Sequence, residues 1–564
     1  MLTNIVDYLR FTLIAVLVVL GMMLYEAWVK DHPVLTSTAT QTQSAVSNNY
    51  IPNMNSTIPN TAATPAQTNV PVAQANSPAA TASPHIIHVT TDVLNVDIDA
   101  AGGNITKINL TKYPLELHSS EPVTLLNDDA DTRYIAQSGL ISATGPDTSK
   151  GQALYTSDKT TYALAEGQNE IKVDLNWQDA NGVKVTKSFT FKRNDYEVNV
   201  NYLINNASTQ PWAGNLYLQL MRKNTPPGKS GLINLTTYFG AAISSPEKPF
   251  QKIKFSDMQT RNLSETIVGG WAAMVQHYFV SAWVPEKNST SQYFTRITDD
   301  NLYTVGMIGP KLTAGPGASV ETQAKFYSGP AVADRLEQAA PNLQLTIDYG
   351  WIWFIAVAIF WMMQHIHSLV GNWGWSIVLV TLVIKLLFYQ LSAKSYRSMS
   401  MLKKLQPRIA TLKERFGADK QKFTQATIEL YKKEKVNPMS GCLPILIQIP
   451  VFFGLYWVLL ESVELRQAPW ILWIHDLTMK DPYYILPVLV GISMFLQQRL
   501  NPPPPDPMQA KVMMMMPVVF TALFLNFPAG LMLYWFVNNS LSFLQQWYIM
   551  RGINANETPK KLNR

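Results

Sequence analysis

The stretch WGWSIVLVTLVIKLLFYQL (residues 373–391) is apolar over a length that could cross a membrane, yet Lys385 lies near its middle. A helix rises about 1.5 Å per residue, which places Lys385 roughly 15 Å along the helix axis from Trp375, close to the centre of a bilayer. A lysine at that depth costs on the order of 3 kcal/mol on insertion-based scales. The stretch therefore predicts a membrane protein and makes Lys385 a candidate functional residue.

Composition and charge narrow the class of protein further. The chain has 564 residues, which is too long for one ordinary core, and 47% of them are hydrophobic while 15% are charged. Its net charge is +6, but residues 394–440 hold twelve Lys and Arg against four Asp and Glu, so this segment carries +8 and the remainder −2. Local basicity of this kind indicates membrane topology or an anionic partner, and disfavours a general nucleic-acid-binding surface. The single cysteine, Cys442, excludes an intramolecular disulfide.

Further apolar runs predict additional membrane spans. Residues 11–29 end in Tyr25, Glu26 and Trp28 without a small-x-small cleavage site, which favours an uncleaved anchor over a signal peptide. The C-terminal part of the chain contains five apolar runs that predict spans, at 375–391, 442–460, 483–498, 512–527 and 530–548.

Between the anchor and the C-terminal spans the pattern changes twice. Residues 33–84 contain no charged residue and consist largely of Thr, Ala, Asn, Pro, Ser and Gln, which predicts a flexible tether. From about 86 to 340, apolar residues alternate with polar ones, and Asn181-Gly182 between two such runs predicts a β-hairpin. Many short strands with polar turns predict a large antiparallel β-sandwich.

The segment 351–369 has two interpretations that place the β-domain on opposite sides of the membrane. Short basic loops stay in the cytoplasm, so segment 394–440 is expected inside and span 375–391 must enter from outside. If 351–369 also spans, the β-domain is cytoplasmic; if it lies flat at the interface, the β-domain is outside and the N-terminus inside. We favour the flat interpretation because the Trp and His content suits an interfacial helix.

The basic segment 394–440 predicts a helical hairpin. Its first half repeats apolar residues at three- and four-residue spacing, typical of a helix with one packed face, and Gly417-Ala418-Asp419 predicts the turn before a second helix. The apolar positions are Leu402, Leu405, Ile409, Leu412 and Phe416 in the first helix, followed by Phe423, Ala426 and Leu430 in the second.

The motifs of common enzyme classes are missing from the sequence. There is no Gly-rich phosphate loop, no zinc-type spacing of Cys and His and no nucleophile elbow. The close histidine pairs are His365 with His367 and His85 with His88, and side chains two residues apart on a helix do not share a face. We therefore predict no catalytic residue, no metal and no small-molecule cofactor. An envelope enzyme acting through the β-domain remains an alternative.

Lys385 has a structural and a functional interpretation. Its stem could snorkel to the cytoplasmic interface, or its ammonium could face a hydrated cavity between helices. The spans between Trp375 and Tyr548 contain no Asp or Glu, whereas a proton relay or cation site of a secondary transporter, the other rival function, normally needs a carboxylate. A lone cation in a cavity favours an anionic ligand, such as an acidic stretch of a polypeptide. Polar residues that could line this cavity are Thr381, Gln448, Asn526, Asn538 and Asn539.

Methionines 513–516 form a second unusual feature. Methionine-rich apolar surfaces adapt to varied partners, which suits a protein that handles many hydrophobic segments. The alternative is that these residues fill an ordinary lipid-facing helix.

Several long motifs together resemble the YidC membrane protein insertase family of Gram-negative bacteria. The resemblance covers essentially the whole chain, and its membrane stretches are long and specific. The motifs in the membrane part are GNWGWSI (371–377), KVNPMSGCLPILIQIPVFFGLYWVLL (435–460), SVELRQAPWILWIHDLTMKDPYYILPVLVG (462–491) and FPAGLMLYWFVNNSLSFLQQ (527–546); those in the β-domain are LAEGQNEIKV (164–173) and DYEVNVNY (195–202).

The resemblance implies an α-helical polytopic membrane protein with six transmembrane helices and a large periplasmic all-β supersandwich domain, located in the bacterial inner membrane. Both termini are expected in the cytoplasm. The corresponding segments are an N-terminal transmembrane anchor at 1–30, a flexible periplasmic tether at 31–85, the periplasmic β-sandwich domain at 86–345, an interfacial amphipathic helix at 346–372, transmembrane helix 2 at 373–393, the basic cytoplasmic helical hairpin at 394–440, transmembrane helices 3–6 at 441–550 and a basic cytoplasmic tail at 551–564.

The resemblance also implies an insertase and chaperone that receives hydrophobic nascent proteins in a hydrophilic, positively charged groove and releases them into the lipid bilayer. An arginine supplies the charge in the family, and this chain has Lys385 at that position, which keeps the charge but loses the planar fork. The expected partners are nascent membrane protein substrates, the Sec translocon, the ribosome and signal-recognition targeting machinery, and the bilayer. The implied groove residues are Lys385, Thr381, Gln448, Tyr534, Trp535 and Asn538, and the implied recruiting residues of the hairpin are Lys403, Lys404, Arg408, Lys413 and Arg415.

Overall fold

The structure of the chain is a computed structural model that describes residues 85–225, 237–416, 419–434, 436–437, 443–501 and 507–555. The anchor predicted at 1–30 lies outside these residues, as do the tether predicted at 31–85, apart from His85, and the last nine residues of the tail.

The described residues between 86 and 330 form nineteen strands and one short helix, which confirms the predicted β-sandwich. The helix α1 spans Phe255–Met258. The strands are β1 Ile86–Thr90, β2 Leu94–Asp99, β3 Asn104–Pro114, β4 Pro122–Leu126, β5 Tyr134–Ser142, β6 Thr156–Ser157, β7 Thr161–Ala163, β8 Glu170–Gln178, β9 Val183–Lys192, β10 Glu197–Asn206, β11 Trp212–Lys223, β12 Phe239–Ser244, β13 Gln251–Ile253, β14 Ser264–Val268, β15 Trp271–Gln276, β16 Phe279–Pro285, β17 Thr290–Ile297, β18 Leu302–Ala314 and β19 Ser319–Pro330.

The strands form two large sheets. One has the order β14-β17-β18-β11-β5-β3-β2-β1-β7, with β4 paired to β3, and the other has the order β13-β12-β15-β16-β19-β10-β9-β8-β6. Strand β10 shows how alternation builds the sandwich, since Val198, Val200, Tyr202 and Ile204 are all buried. Their side chains point to one face of the strand and join the residues of the opposite sheet in one core.

The Asn181-Gly182 pair ends the hairpin between β8 and β9, which pair in antiparallel register from Gln178 with Lys184 to Glu170 with Lys192. Gly182 has a φ of +102°, a conformation that glycine adopts without a steric cost. The Asp179 carboxylate accepts hydrogen bonds from the backbone N–H groups of Asn181 and Val183 and closes the turn.

The rest of the described chain is helical. The helices are α2 Ala333–Ala339, α3 Trp353–Val370, α4 Trp373–Leu387, α5 Tyr389–Phe416, α6 Lys420–Lys433, α7 Leu443–Glu461, α8 Ile485–Leu500, α9 Pro507–Phe524 and α10 Ala529–Ala555. Helix α10 packs against α4 and α8, and α3 packs against α4 and α7.

The structure divides the apolar run 375–391 at Phe388, a break that the sequence did not predict. Helix α4 ends at Leu387 and α5 begins at Tyr389, with an angle of 68° between them. The bend coincides with a change in composition: Lys385 is the one charged residue of α4, whereas α5 is rich in Lys and Arg. Lys385 therefore lies in the last turn of α4 and not in the middle of a longer helix.

Within the described residues, one helix is long and apolar enough to cross a membrane, over Gly350–Val370. The bent pair α4–α5 meets the same criterion when it is taken as one unit. Shorter apolar helices occupy Leu446–Glu461, Ile485–Leu500 and Ala510–Phe524. These helices fall on the predicted apolar runs, and the number of membrane crossings remains a prediction.

The loop after α7 joins the helices to the β-domain. The Nε2 atom of His277 lies 2.7 Å from the carbonyl oxygen of Leu460 at the end of α7, and Val463 is buried in the core of the β-domain. The guanidinium of Arg466 donates from Nη2 to the carbonyl oxygens of Pro114, at 2.8 Å, and Leu115, at 2.9 Å. These bonds place the β-domain against the end of α7.

Candidate functional site

Lys385 reaches across from α4 to α10. Its Nζ atom donates to the hydroxyl oxygen of Ser542 at 2.6 Å. Ser542 is 1% exposed, and Lys385 is partly exposed. Among the residues that the structure describes, Lys385 forms no ion pair. Its positive charge is therefore held in a bundle of apolar helices by a neutral hydroxyl group.

The hydrogen bond to Ser542 continues into a chain of polar groups. The Ser542 hydroxyl donates to the carbonyl oxygen of Asn538 one turn earlier, at 2.7 Å. The amide nitrogen Nδ2 of Asn538 donates in turn to Oε1 of Gln448 on α7, at 3.1 Å. We call the four residues Lys385, Ser542, Asn538 and Gln448 the polar chain. It connects α4, α10 and α7, and it brings together three of the predicted groove residues.

Thr381 does not join the polar chain. Its hydroxyl donates to the carbonyl oxygen of Ile377 on its own helix at 2.6 Å, and the residue is buried. This local bond is common for threonine in apolar helices, where the hydroxyl needs an acceptor. Thr381 thus lies one turn from Lys385, as predicted, but its hydroxyl group donates its hydrogen bond to a backbone carbonyl within α4.

Tyr534 and Trp535 lie one turn before Asn538 on α10. Tyr534 is buried in the apolar cluster between the helices, whereas Trp535 is partly buried. The Trp535 ring meets Phe452 at a centroid distance of 4.6 Å and Phe524 at 4.9 Å. Trp535 therefore packs α10 against α7 and α9 one turn before Asn538, and Tyr534 lies in the apolar core beside it.

Ser542 is the functional candidate that the sequence analysis missed. The spacing of four residues between Asn538 and Ser542 puts both side chains on one face of a helix, and this was the signal available for finding it. The neighbouring Asn539 faces a different helix, because its Nδ2 atom donates to Ser493 of α8 at 3.2 Å.

The five predicted recruiting residues all lie on α5 with exposed side chains. Helices α5 and α6 pack through Leu402, Leu405 and Ile409, and the Arg408 guanidinium forms an ion pair with Glu434 at 2.6 Å. Between the helices lies a groove of about 440 Å³ with apolar and cationic walls, lined by Arg408, Thr411, Leu412, Arg415, Ala426, Glu429, Leu430 and Lys433. A surface of this kind suits a partner with acidic and apolar residues.

The histidines of α3 make aromatic contacts. The His367 ring stacks on Trp373 at a centroid distance of 4.1 Å, and the His365 ring contacts Trp361 at 4.2 Å. The described residues contain no group of three His, Cys, Asp or Glu side chains that could hold a metal ion.

Comparison with known proteins identifies the family. The family model "YidC periplasmic domain" matches residues 86–362, and "60Kd inner membrane protein" matches residues 365–557. A protein of Pseudomonas entomophila named "Membrane protein insertase YidC" is 52% identical over 472 residues, which is 83% of this chain and 84% of the relative. A relative with the same name from Stutzerimonas stutzeri is 53% identical over 476 residues, covering 84% and 85% of the two chains.

A solved structure described as "Active YidC insertase crystal structure with the first transmembrane domain resolved" is 19% identical and covers 83% of this chain and 93% of its own, with a TM-score of 0.38. The resemblance seen in the sequence is confirmed by the family models and by the relatives. Because these matches include both the β-domain and the helices, the chain belongs to the YidC family, whose members are inner-membrane protein insertases and not enzymes.

Proposed function

We propose that the polar chain lines the groove in which this insertase receives its substrates, and that Lys385 is the charge that attracts them. The observation that carries the proposal is the position of Lys385 between apolar helices. Among the described residues its partner is the hydroxyl group of Ser542, and no carboxylate pairs with it. An uncompensated cation in such surroundings is costly and favours an anionic ligand. The acidic residues of a substrate's hydrophilic segment would supply that ligand.

In this mechanism a polar groove reduces the hydrophobic barrier that a hydrophilic segment must cross. The segment enters partly hydrated, its acidic residues approach Lys385, and its apolar span then moves sideways into the lipid. Burial of apolar surface, worth about 25 cal/mol per Å², drives the last step. A flexible surface for this exit is provided on α9 by Met514, Met515 and Met516, which are exposed. The mechanism involves no nucleotide, metal or covalent step.

The proposed topology has six membrane-spanning helices, with both termini in the cytoplasm and the β-domain in the periplasm. It retains the segment boundaries expected from the sequence, including the flat helix within 346–372. Support for the flat orientation comes from Trp351, Trp353 and Trp361, whose side chains are exposed around the start and middle of α3. Indole rings favour the level of the lipid headgroups.

The hairpin of α5 and α6 is proposed to receive substrates from the ribosome and the signal-recognition machinery. The cations at positions 403, 404, 408, 413 and 415 lie on the exposed side of α5 and provide a field that acidic or phosphate-bearing partners would meet first. Cooperation with the Sec translocon is proposed from membership of the family.

The experiment that tests the groove uses the full-length protein reconstituted in liposomes. Insertion of a small membrane protein with an acidic translocated tail is compared with insertion of a neutral-tailed form, for the wild type and for Lys385→Arg, Lys385→Ala and Lys385→Glu. We expect Arg to retain activity and Ala and Glu to lose most of it, with a smaller loss for the neutral tail. Equal insertion by all four proteins would show that Lys385 only snorkels and would remove it from the mechanism.

A further inference from the structure

The bond between Lys385 and Ser542 has a fixed direction. Because the Ser542 hydroxyl donates its hydrogen to the carbonyl oxygen of Asn538, a lone pair of the same Oγ atom accepts the hydrogen bond from Lys385. The hydroxyl of Tyr396, a buried residue of α5, also faces Ser542. Ser542 is therefore a buried acceptor at the meeting point of three helices, and it is occupied by the one cation of α4.

A lysine in this position needs a fixed acceptor more than an arginine would. Its ammonium is a point charge on a flexible four-carbon stem, without the planar fork of a guanidinium. Lys385 lies three residues before the bend at Phe388, and beyond the bend begins the basic helix α5. Without a partner on α10, the stem could extend along α4 toward that polar region, as snorkelling lysines do. The bond to Ser542 instead directs the ammonium across to α10.

We propose that Ser542 is a positioning residue that holds the Lys385 ammonium in the groove and thereby sets the preference for acidic substrate segments. The inference rests on the function proposed above and adds a residue to it. Lys385 has three N–H donors, and the bond to Ser542 uses one of them. Within the described part of the chain no second acceptor is recorded for the other two, so Lys385 can be held by Ser542 and still bind the carboxylate of a substrate.

The test compares Ser542→Ala and Ser542→Thr with the wild type, using full-length protein in liposomes and the same two substrates with acidic and neutral tails. Loss of a hydrogen bond to a charged group should lower insertion of the acidic-tailed substrate by about tenfold or more, with less than about a twofold effect on the neutral one. Threonine keeps the hydroxyl and should retain the preference. In the Lys385→Ala background, Ser542→Ala should have no further effect on the acidic-tailed substrate.

Three results would overturn the inference. Equal losses for both substrates in Ser542→Ala would show that the serine matters only for packing between helices. A second result is that Ser542→Ala keeps the preference for the acidic-tailed substrate while Lys385→Ala loses insertion of that substrate. Lys385 would then act without an anchor, and the proposed groove would stand. No loss in Lys385→Ala would refute the proposed function itself and the anchor with it.

Discussion

The guanidinium of Arg466 holds the loop after α7 to the end of strand β3, through a hydrogen bond of 2.8 Å from Nη2 to the carbonyl oxygen of Pro114. The same nitrogen lies 2.9 Å from the carbonyl oxygen of Leu115, and the guanidinium lies 6.0 Å from the centroid of the Phe279 ring. Helix α7, which ends five residues before Arg466, also carries Gln448 of the polar chain. One helix therefore contacts both the β-domain and the candidate groove.

Replacement of Arg466 should loosen this loop. Arg466→Ala removes hydrogen bonds from a charged group, each worth about 1.5–3 kcal/mol, so we expect amide hydrogen exchange across residues 462–477 to accelerate roughly tenfold or more. Hydrogen exchange with mass spectrometry on the full-length protein in detergent measures this. Arg193→Ala is the matched control, because Arg193 donates to the carbonyl oxygens of Gln168 and Ala165 entirely within the β-domain. Exchange in 462–477 that matched the control would contradict the prediction.

Glu464 should make the stability of the protein depend on pH. Burial raises the pKa of its carboxyl group from 4.5 to about 7, and the negative charge of Asp334 acts in the same direction. In the folded state the carboxyl group thus keeps its proton over a pH range where the unfolded chain has lost it. Its contribution to the free energy of unfolding is full at low pH and is lost as the pH rises from about 4.5 to about 7.

The measurement is the Tm of the wild type and of Glu464→Gln in detergent at pH 5 and pH 8. Glutamine cannot ionise, so we expect its Tm to rise relative to the wild type by about 2 °C or more between these pH values. Parallel Tm curves for the two proteins would show that folding does not raise the pKa of the Glu464 carboxyl group.

The parts of the fold that could be predicted are those set by short-range patterns. Alternation over β10 and the Asn181-Gly182 turn predicted strands and a hairpin, because the side-chain period and a positive φ depend on neighbouring residues alone. The bend at Phe388 was missed, since an apolar run has the same composition whether or not its helix is broken. The pairings of Ser542 with Lys385 and of Arg466 with Pro114 were missed because the partners lie 157 and 352 residues apart in the chain. No local pattern encodes pairings of that length.

The basic hairpin should recruit partners by charge and not through its internal ion pair. Arg408 and Glu434 are joined at the surface, where an ion pair contributes about 0–1 kcal/mol, so Arg408→Ala should leave Tm nearly unchanged. We expect the triple change Lys403→Glu, Lys404→Glu and Arg415→Glu to weaken cosedimentation with ribosomes at least tenfold at low salt. The residual ribosome binding of the triple variant should depend less on salt concentration than binding by the wild type. The variant has lost the electrostatic attractions that salt screens.

The control for this charge reversal is Glu429→Gln, which removes a negative charge from the wall of the same groove. It should leave ribosome binding unchanged or strengthen it. A triple variant that bound as well as the wild type at low salt would exclude the exposed cations of α5 as the recruiting surface.

Gln448 should matter for both kinds of substrate, unlike Ser542. Gln448→Met keeps a side chain of similar length but removes the acceptor for Asn538, so the far end of the polar chain loses polarity while Lys385 keeps its anchor. We expect insertion of acidic-tailed and neutral-tailed substrates in liposomes to fall by about the same factor, roughly threefold, since a drier groove hinders any hydrophilic segment.

The matched control is Ser493→Ala, which removes the hydrogen bond from Asn539 between α8 and α10 and leaves the polar chain intact. If Ser493→Ala lowers Tm as much as Gln448→Met but retains insertion, the effect of Gln448 comes from the groove and not from stability. If instead Gln448→Met impairs the acidic-tailed substrate alone, the polar chain acts only through Lys385, and the idea of a general hydrophilic path from α4 to α7 is wrong.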